Sequence, residues 1–369
     1  MSEPSDLGTR IVALSRKARL GDITIADWTQ RIRALIESQP DIETVIDISA
    51  VRALEGESGS SSGTLFFDAR YRRNGKQEDG RFVLRFTPVT PLFHVYDIAG
   101  QVRLQQILQS TAVPVPGLFW EDPTGRYLQM PAYVMERVEG QAAPADWHLH
   151  GVIAAAAPEH RRAMLLDYVR TLATIHQVDW REQGLGFLAD RAAGRCLIDR
   201  EANWYWDALL WADEGRNMER LQPVYQWLID HEPAGARAVL CHGDTNLTNN
   251  LFRDDRVAAV IDWEMAFIGA PECDLAYIQN ALATMMREPL DGVPLLPELW
   301  AYYEQITGTK LQHMGYYGLF ATWRLTCILI LGARHFPADF KAAFGAFLDG
   351  AIQTMNDSAI KVGAPVVEI

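Results

Sequence analysis

Apolar residues first recur at helical spacing, with Trp28, Ile32, Leu35 and Ile36 on one face and Pro40 closing the run. The pattern then shortens to that of strands. Residues 44–54, 64–73 and 81–87 are rich in β-branched and aromatic side chains, and a Gly/Ser stretch and the turn 74–80 separate them. A helix is expected over 96–110, then strands over 118–121 and 131–138 around the turn 122–125. Beyond Gly140 the period is helical nearly to the end. The expected helices include 161–176, 274–286, 296–305, 313–331 and 338–355, with a frayed tail over 356–369. One β-like interruption breaks this half: 251–252 and 257–261 flank the polar turn 253–256. The pattern implies an α+β protein in three parts: a helical extension at 1–40, a β-rich domain at 41–139 and a larger, mostly helical domain at 140–369.

Composition narrows the class. The chain has 369 residues and a net charge of −13, which argues against a general nucleic-acid binder. Cys196, Cys241, Cys273 and Cys327 form no metal-type or disulfide spacing, so reduced thiols are expected. The first residues lack the basic and apolar regions of a signal peptide, and the longest apolar run, within 325–333, is too short to span a bilayer. A cytoplasmic protein without membrane contact is the expectation.

Chemistry concentrates in 239–275. His242-Gly243-Asp244 is followed by Asn249, then by the expected hairpin, then by Asp262 and Glu264. A hairpin brings its ends together, so Asn249 and Asp262 can face one ion. An amide oxygen and a carboxylate are hard ligands suited to magnesium, which keeps other positions for phosphate and water. Asp244 lies on the loop before the first strand, where it can meet an acceptor hydroxyl. An acceptor lined by tryptophan is one reading of 203–211, where Trp204, Ala208 and Trp211 share one helical face and Trp206 and Leu210 another. A packed core is the preferred one.

These blocks resemble the aminoglycoside phosphotransferase family, also called the phosphotransferase enzyme family: H-G-D-x-x-x-x-N at 242–249, I-D-W-E at 261–264 and G-x-P-x-x-D-L-A at 269–276. The resemblance implies a two-lobed, protein-kinase-like fold with a small β-rich N-lobe and a larger, mostly helical C-lobe. It implies an ATP-dependent O-phosphotransferase with magnesium as cofactor, GTP as the other candidate donor and a small-molecule alcohol as acceptor. By the same resemblance Asp244 is the catalytic base, Asn249 and Asp262 are metal ligands, and Asp274 is a buried anchor of the loop. His176 resembles a position on the helix backing that loop, and a structural role is favoured for it.

The N-terminal half carries looser matches. Small residues at Ser58, Gly59 and Ser60 let backbone N–H groups approach phosphate oxygens. Arg85 stands where kinases carry a phosphate-binding lysine, and its planar fork can chelate two oxygens. Val83, two residues earlier on the strand, would cover the adenine. The Glu136 carbonyl and Val138 N–H would pair with the adenine edge. Kinases supply a helix glutamate to the strand cation, but none occurs between Asp79 and Glu121. Gln101, then Asp97, are the replacements expected. Two rivals follow: a catalytically silent nucleotide-binding protein, and a metallohydrolase built on His242 and nearby acids.

Overall fold

The computed structural model describes residues 21–53, 62–190, 192, 194–285, 290–334 and 338–369. Ser58, Gly59 and Ser60 lie outside the described residues. The chain divides into two compact units, one of residues 1–110 and 114–139, the other of 111–113 and 140–369.

The first unit is a five-stranded antiparallel sheet of order β1-β2-β3-β5-β4, with β1 Ile42–Ala53, β2 Gly63–Arg73, β3 Lys76–Phe86, β4 Leu118–Asp122 and β5 Ala132–Glu136. Asn74 and Gly75 both take positive φ, 50° and 75°, which sets the tight turn joining β2 to β3 with Arg73 opposite Lys76. Alternation decides what is buried: Leu65, Phe67, Ala69 and Tyr71 of β2 face the core while Asp68 and Arg70 face away. Helix α1, Ile25–Glu37, starts at a capping box between Thr24 and Asp27. It buries the expected Trp28, Ile32, Leu35 and Ile36 in that core, Trp28 lying 4.6 Å from the Phe86 ring. The other face of β3 carries Val83 and Arg85. There Val83 packs with Tyr133, Met135 and with Ile98 and Val102 of helix α2, Ile98–Leu108.

The second unit is mainly helical. Its helices are α3 Gly151–Ala155, α4 Pro158–His176, α5 Leu197–Trp211, α6 Gly215–Asp230, α7 Pro271–Met285, α8 Leu296–Thr307, α9 Met314–Ala333 and α10 Ala338–Val362. Two small sheets interrupt them: β7 Val239–Cys241 with β10 Phe267–Gly269, and β6 Gln141–Ala142 with β8 Asn250–Arg253 and β9 Arg256–Val260. The α+β class therefore stands, β-rich first and helical after.

Three expectations need correction. The tail is not frayed: α10 runs to Val362, and Asn356 then exchanges two hydrogen bonds with the Val367 backbone, at 2.8 and 2.9 Å. Helix α9 is long and apolar enough to cross a membrane by length and composition. Reading only its unbroken apolar run hid this, because Gly, Thr, Tyr and Trp dilute the run without making the helix polar. About 72% of that window is buried inside the fold, as befits a core helix. The tryptophan face also splits. Trp204 and Ala208 are buried, whereas Trp211 ends α5 and is 44% exposed beneath the Arg334 guanidinium. Trp206 stacks on Tyr225 at 4.2 Å, and Tyr225 on Trp323, so this side of α5 is packing.

Candidate active site

The loop 242–249 leaves β7 and is held by its backbone. Asp274, in the first turn of α7, is fully buried. Its Oδ2 accepts the His242 N–H at 2.8 Å and its Oδ1 the Gly243 N–H at 3.0 Å. Oδ2 also meets His176 Nε2 at 3.0 Å, while His176 Nδ1 lies 2.8 Å from the Tyr303 hydroxyl. Burial alone would raise the Asp274 carboxyl. The His176 bond and the Gly243 N–H outweigh it and hold the group below the usual carboxylate range. Asp274 is thus the loop's buried anchor, and His176 orients it. Thr245 closes the same corner by donating to the Asp274 carbonyl at 2.9 Å, and Tyr168 donates to the Thr245 carbonyl.

Gly243 has no substitute here. Its φ is +86°, and a Cβ would stand 2.0 Å from the Met265 carbonyl oxygen. His242 has both ring nitrogens engaged with backbone: Nε2 with the Ile261 carbonyl at 2.9 Å, Nδ1 with the Asp244 N–H at 3.3 Å. Those partners fix the tautomer, with Nε2 donating and Nδ1 accepting. A histidine so committed ties the loop to the end of β9 and leaves no nitrogen for a metal, which removes the basis of a metallohydrolase. The buried trio His176, Cys241 and Asp274 is close enough to hold an ion. His176 and Asp274 are instead bonded to each other, and the Cys241 thiol donates to the Ala270 carbonyl at 3.3 Å.

The hairpin behaves as its sequence implies. Asp254 and Asp255, both at positive φ, turn β8 into β9, and Asn250 pairs with Val260. One residue beyond that pair the Ile261 N–H donates to the Asn249 carbonyl at 2.9 Å. Asn249 and Asp262 therefore emerge side by side, one from the short 3-10 turn before β8 and the other just past β9. Asp262 sits in the left-handed region, φ 69° and ψ 60°, a conformation Asp tolerates better than most residues. Glu264 follows within the next 3-10 turn.

Asp244 is half-buried and receives both neighbouring amides. Asn246 Nδ2 donates to its Oδ1 at 2.5 Å, and Asn249 Nδ2 to its Oδ2 at 2.8 Å. Because Asn249 spends its nitrogen on Asp244, its side-chain oxygen remains available to a cation. Burial raises the Asp244 carboxyl, and the Asp262 charge adds to that, although His242 and the Asn249 bond oppose it. A carboxylate whose charge is disfavoured by burial and by a neighbouring acid, flanked by an amide oxygen, suits a hard divalent cation.

In the first unit Arg85 is buried and donates to Thr64 Oγ1 across the β2–β3 pair at 3.0 Å. Val83 shares its face. Asp97 is the N-cap of α2, accepting the Gly100 N–H at 2.8 Å, so capping accounts for it. Gln101 is buried in the next turn. β5 ends at Glu136, whose N–H donates to Gly117, and Val138 follows just before the boundary between units at 139–140. Two residues escaped the sequence reading. Tyr277, on α7, is buried with its ring 5.5 Å from the Arg324 guanidinium carbon. Arg324, the lone charge of α9, donates to the Gly243 carbonyl at 2.8 Å. An arginine inside an apolar helix was the available signal for the second.

Comparison with known proteins agrees with this geometry. The model of the phosphotransferase enzyme family matches residues 66–311. The chain is 29% identical over 261 residues to acyl-CoA dehydrogenase family member 11 of Rattus norvegicus, covering 67% of this chain and 31% of that protein. It spans about a third of such relatives' length. Among solved structures, a Ralstonia eutropha protein assigned to the aminoglycoside phosphotransferases aligns at a TM-score of 0.66 and 21% identity, covering 91% of this chain and 99% of the other. The GDP complex of an aminoglycoside 2'-phosphotransferase-IIIa aligns at 0.57 and 14%, covering 92% and 99%. At these identities the structural likeness speaks for a kinase-like fold.

Proposed function

The chain belongs to the phosphotransferase enzyme family, and from that premise we propose that it is an ATP-dependent O-phosphotransferase for a hydroxyl of a small molecule. The observation that carries the reading is the Ile261–Asn249 backbone bond, which sets Asn249 beside Asp262 with Asp244 hydrogen-bonded to Asn249. Asp244 orients the acceptor hydroxyl and takes its proton. The acceptor oxygen bonds the terminal phosphorus as the bond to the nucleoside diphosphate breaks. Asn249 and Asp262 would hold magnesium, which supplies charge neutralisation at the phosphates when bound. Arg85 and the stretch containing Ser58, Gly59 and Ser60 are assigned to the phosphates, Val83 to the adenine face, and the backbone of Glu136 and Val138 to the adenine edge. The acidic chain fits a small-molecule acceptor met in the cytoplasm better than nucleic acid or a membrane surface.

Thermal shift and phosphate release test this. Mg-ATP at about 100 times its Kd adds roughly 2.7 kcal/mol to wild-type stability. Asp262→Ala loses that shift, and Asp244→Asn keeps it but loses turnover. Equal stabilisation of wild type and Asp262→Ala counts against the metal role. GTP is run in parallel as donor. The acceptor panel spans alcohols, aminoglycosides and macrolides, with hydroxyacyl thioesters added because the curated relatives carry acyl-CoA names. A silent nucleotide-binding protein is the second reading, favoured by the absence of any glutamate on α2 to meet Arg85. Asp244-dependent release of phosphate excludes it.

A further inference from the structure

We infer that Arg324 is a positioning residue for phosphotransfer, gripping the peptide that aims Asp244. This deepens the proposed function and rests on it. Arg324 lies in the middle of α9 with no solvent exposure. Its Nη2 donates to the Gly243 carbonyl at 2.8 Å and to the Tyr205 hydroxyl at 3.1 Å, and stands 3.6 Å from Glu201 Oε1. The rings of Phe267, Tyr205, Tyr277 and Phe320 surround its Cζ at 5.1 to 5.5 Å. Burying an ion pair is often no more stabilising than filling the same volume with apolar side chains. Packing therefore does not explain a guanidinium here.

The glycine peptide does. Gly243 takes φ +86° where the Met265 carbonyl leaves no room for a side chain, and its own N–H and carbonyl both have charged partners. The N–H meets the Asp274 carboxylate and the carbonyl meets the Arg324 guanidinium. Residue 243 is thus clamped by an anion at its donor and a cation at its acceptor. Asp244 is the next residue, so its direction is set by that clamp. A displacement of about 1 Å at a reacting group can cost about 100-fold in rate. Loss of the cationic half should lower kcat while leaving nucleotide binding in place, because the Ile261–Asn249 backbone bond at the end of the β8–β9 hairpin, and not Gly243, holds the backbone of Asn249 and Asp262.

The test compares wild type, Arg324→Lys and the double variant Glu201→Gln/Arg324→Met, which removes both charges so that no buried acid is stranded. Three quantities are read: melting temperature, the Mg-ATP thermal shift, and Asp244-dependent phosphate release from Mg-ATP. The double variant is expected to keep the thermal shift and the KM for Mg-ATP and to lose about 100-fold in kcat. Arg324→Lys should recover at least a tenth of the wild-type rate by restoring a charged donor to Gly243. A double variant that releases phosphate at the wild-type rate overturns the inference. So does a rate loss matched by an equal loss of the Mg-ATP shift, which marks a purely structural role. If wild type itself shows no Asp244-dependent release, the phosphotransfer reading fails, and the inference falls with it.

Discussion

Asp274 offers the sharpest test of how the loop is held. Its carboxylate accepts two backbone N–H groups and faces a histidine nitrogen, all without solvent. In Asp274→Asn one oxygen becomes an NH2 group. The best placement keeps the amide oxygen where Oδ2 stood, accepting from His242 and His176, and turns the NH2 toward the Gly243 N–H. Two donors then face each other. An orphaned buried N–H costs about 1–3 kcal/mol. The two surviving bonds lose their charge assistance, roughly halving each. The sum is about 2–5 kcal/mol. At about 2–4 °C per kcal/mol for a domain of this size, the melting temperature should fall by about 4–20 °C. Scanning calorimetry at neutral pH measures it, and a fall under about 2 °C would refute the account of the anchor. The pH dependence has a definite sign. The folded carboxyl is held low, so its contribution is fully present above the unfolded value near pH 4 and fades as pH falls through the folded value. The gap between wild type and Asp274→Asn should therefore be widest at neutral pH and narrow in acid. A gap that widens in acid would mean the proton sits elsewhere.

Other outcomes follow from the same packing. Gly243→Ala places a methyl 2.0 Å from the Met265 carbonyl oxygen and strains a positive φ. We expect a loss of at least 100-fold in phosphate release with the Mg-ATP thermal shift retained; an active Ala variant would show that the loop is not fixed there. Asn356→Ala removes both bonds that dock the tail at Val367. It should cost about 1–3 kcal/mol in denaturant unfolding, and an unchanged midpoint would mean the tail contributes nothing. His242→Ala loses the ring's bonds to Ile261 and Asp244, so turnover should fall without any dependence on added transition metals. Rescue by zinc would revive the metal reading of that histidine.

The elements legible in the sequence are those whose cause is local. The face of α1 repeats every three to four residues, and the Thr24–Asp27 box starts it. Asn74-Gly75 accepts positive φ and sets the β2–β3 register in a two-residue turn, shorter than the expected turn over 74–80, so β3 starts at Lys76. The hairpin that joins Asn249 to Asp262 is a short-range event, so the nearness of these two residues could be read from spacing and residue type alone. Spacing could not show what meets those residues from afar. Arg324 reaches Gly243 across 81 positions, from a helix whose composition reads as plain core. Asp97 and Gln101 competed for one role until the start of α2 claimed Asp97 as its cap. Trp204 and Trp211 share a helical face, yet only Trp204 is buried, because the helix ends as Trp211 passes the packed surface. A residue's type and its near neighbours determine what bonds it can make. Burial and distant partners, which exist only once the chain has closed on itself, decide which of those bonds it does make.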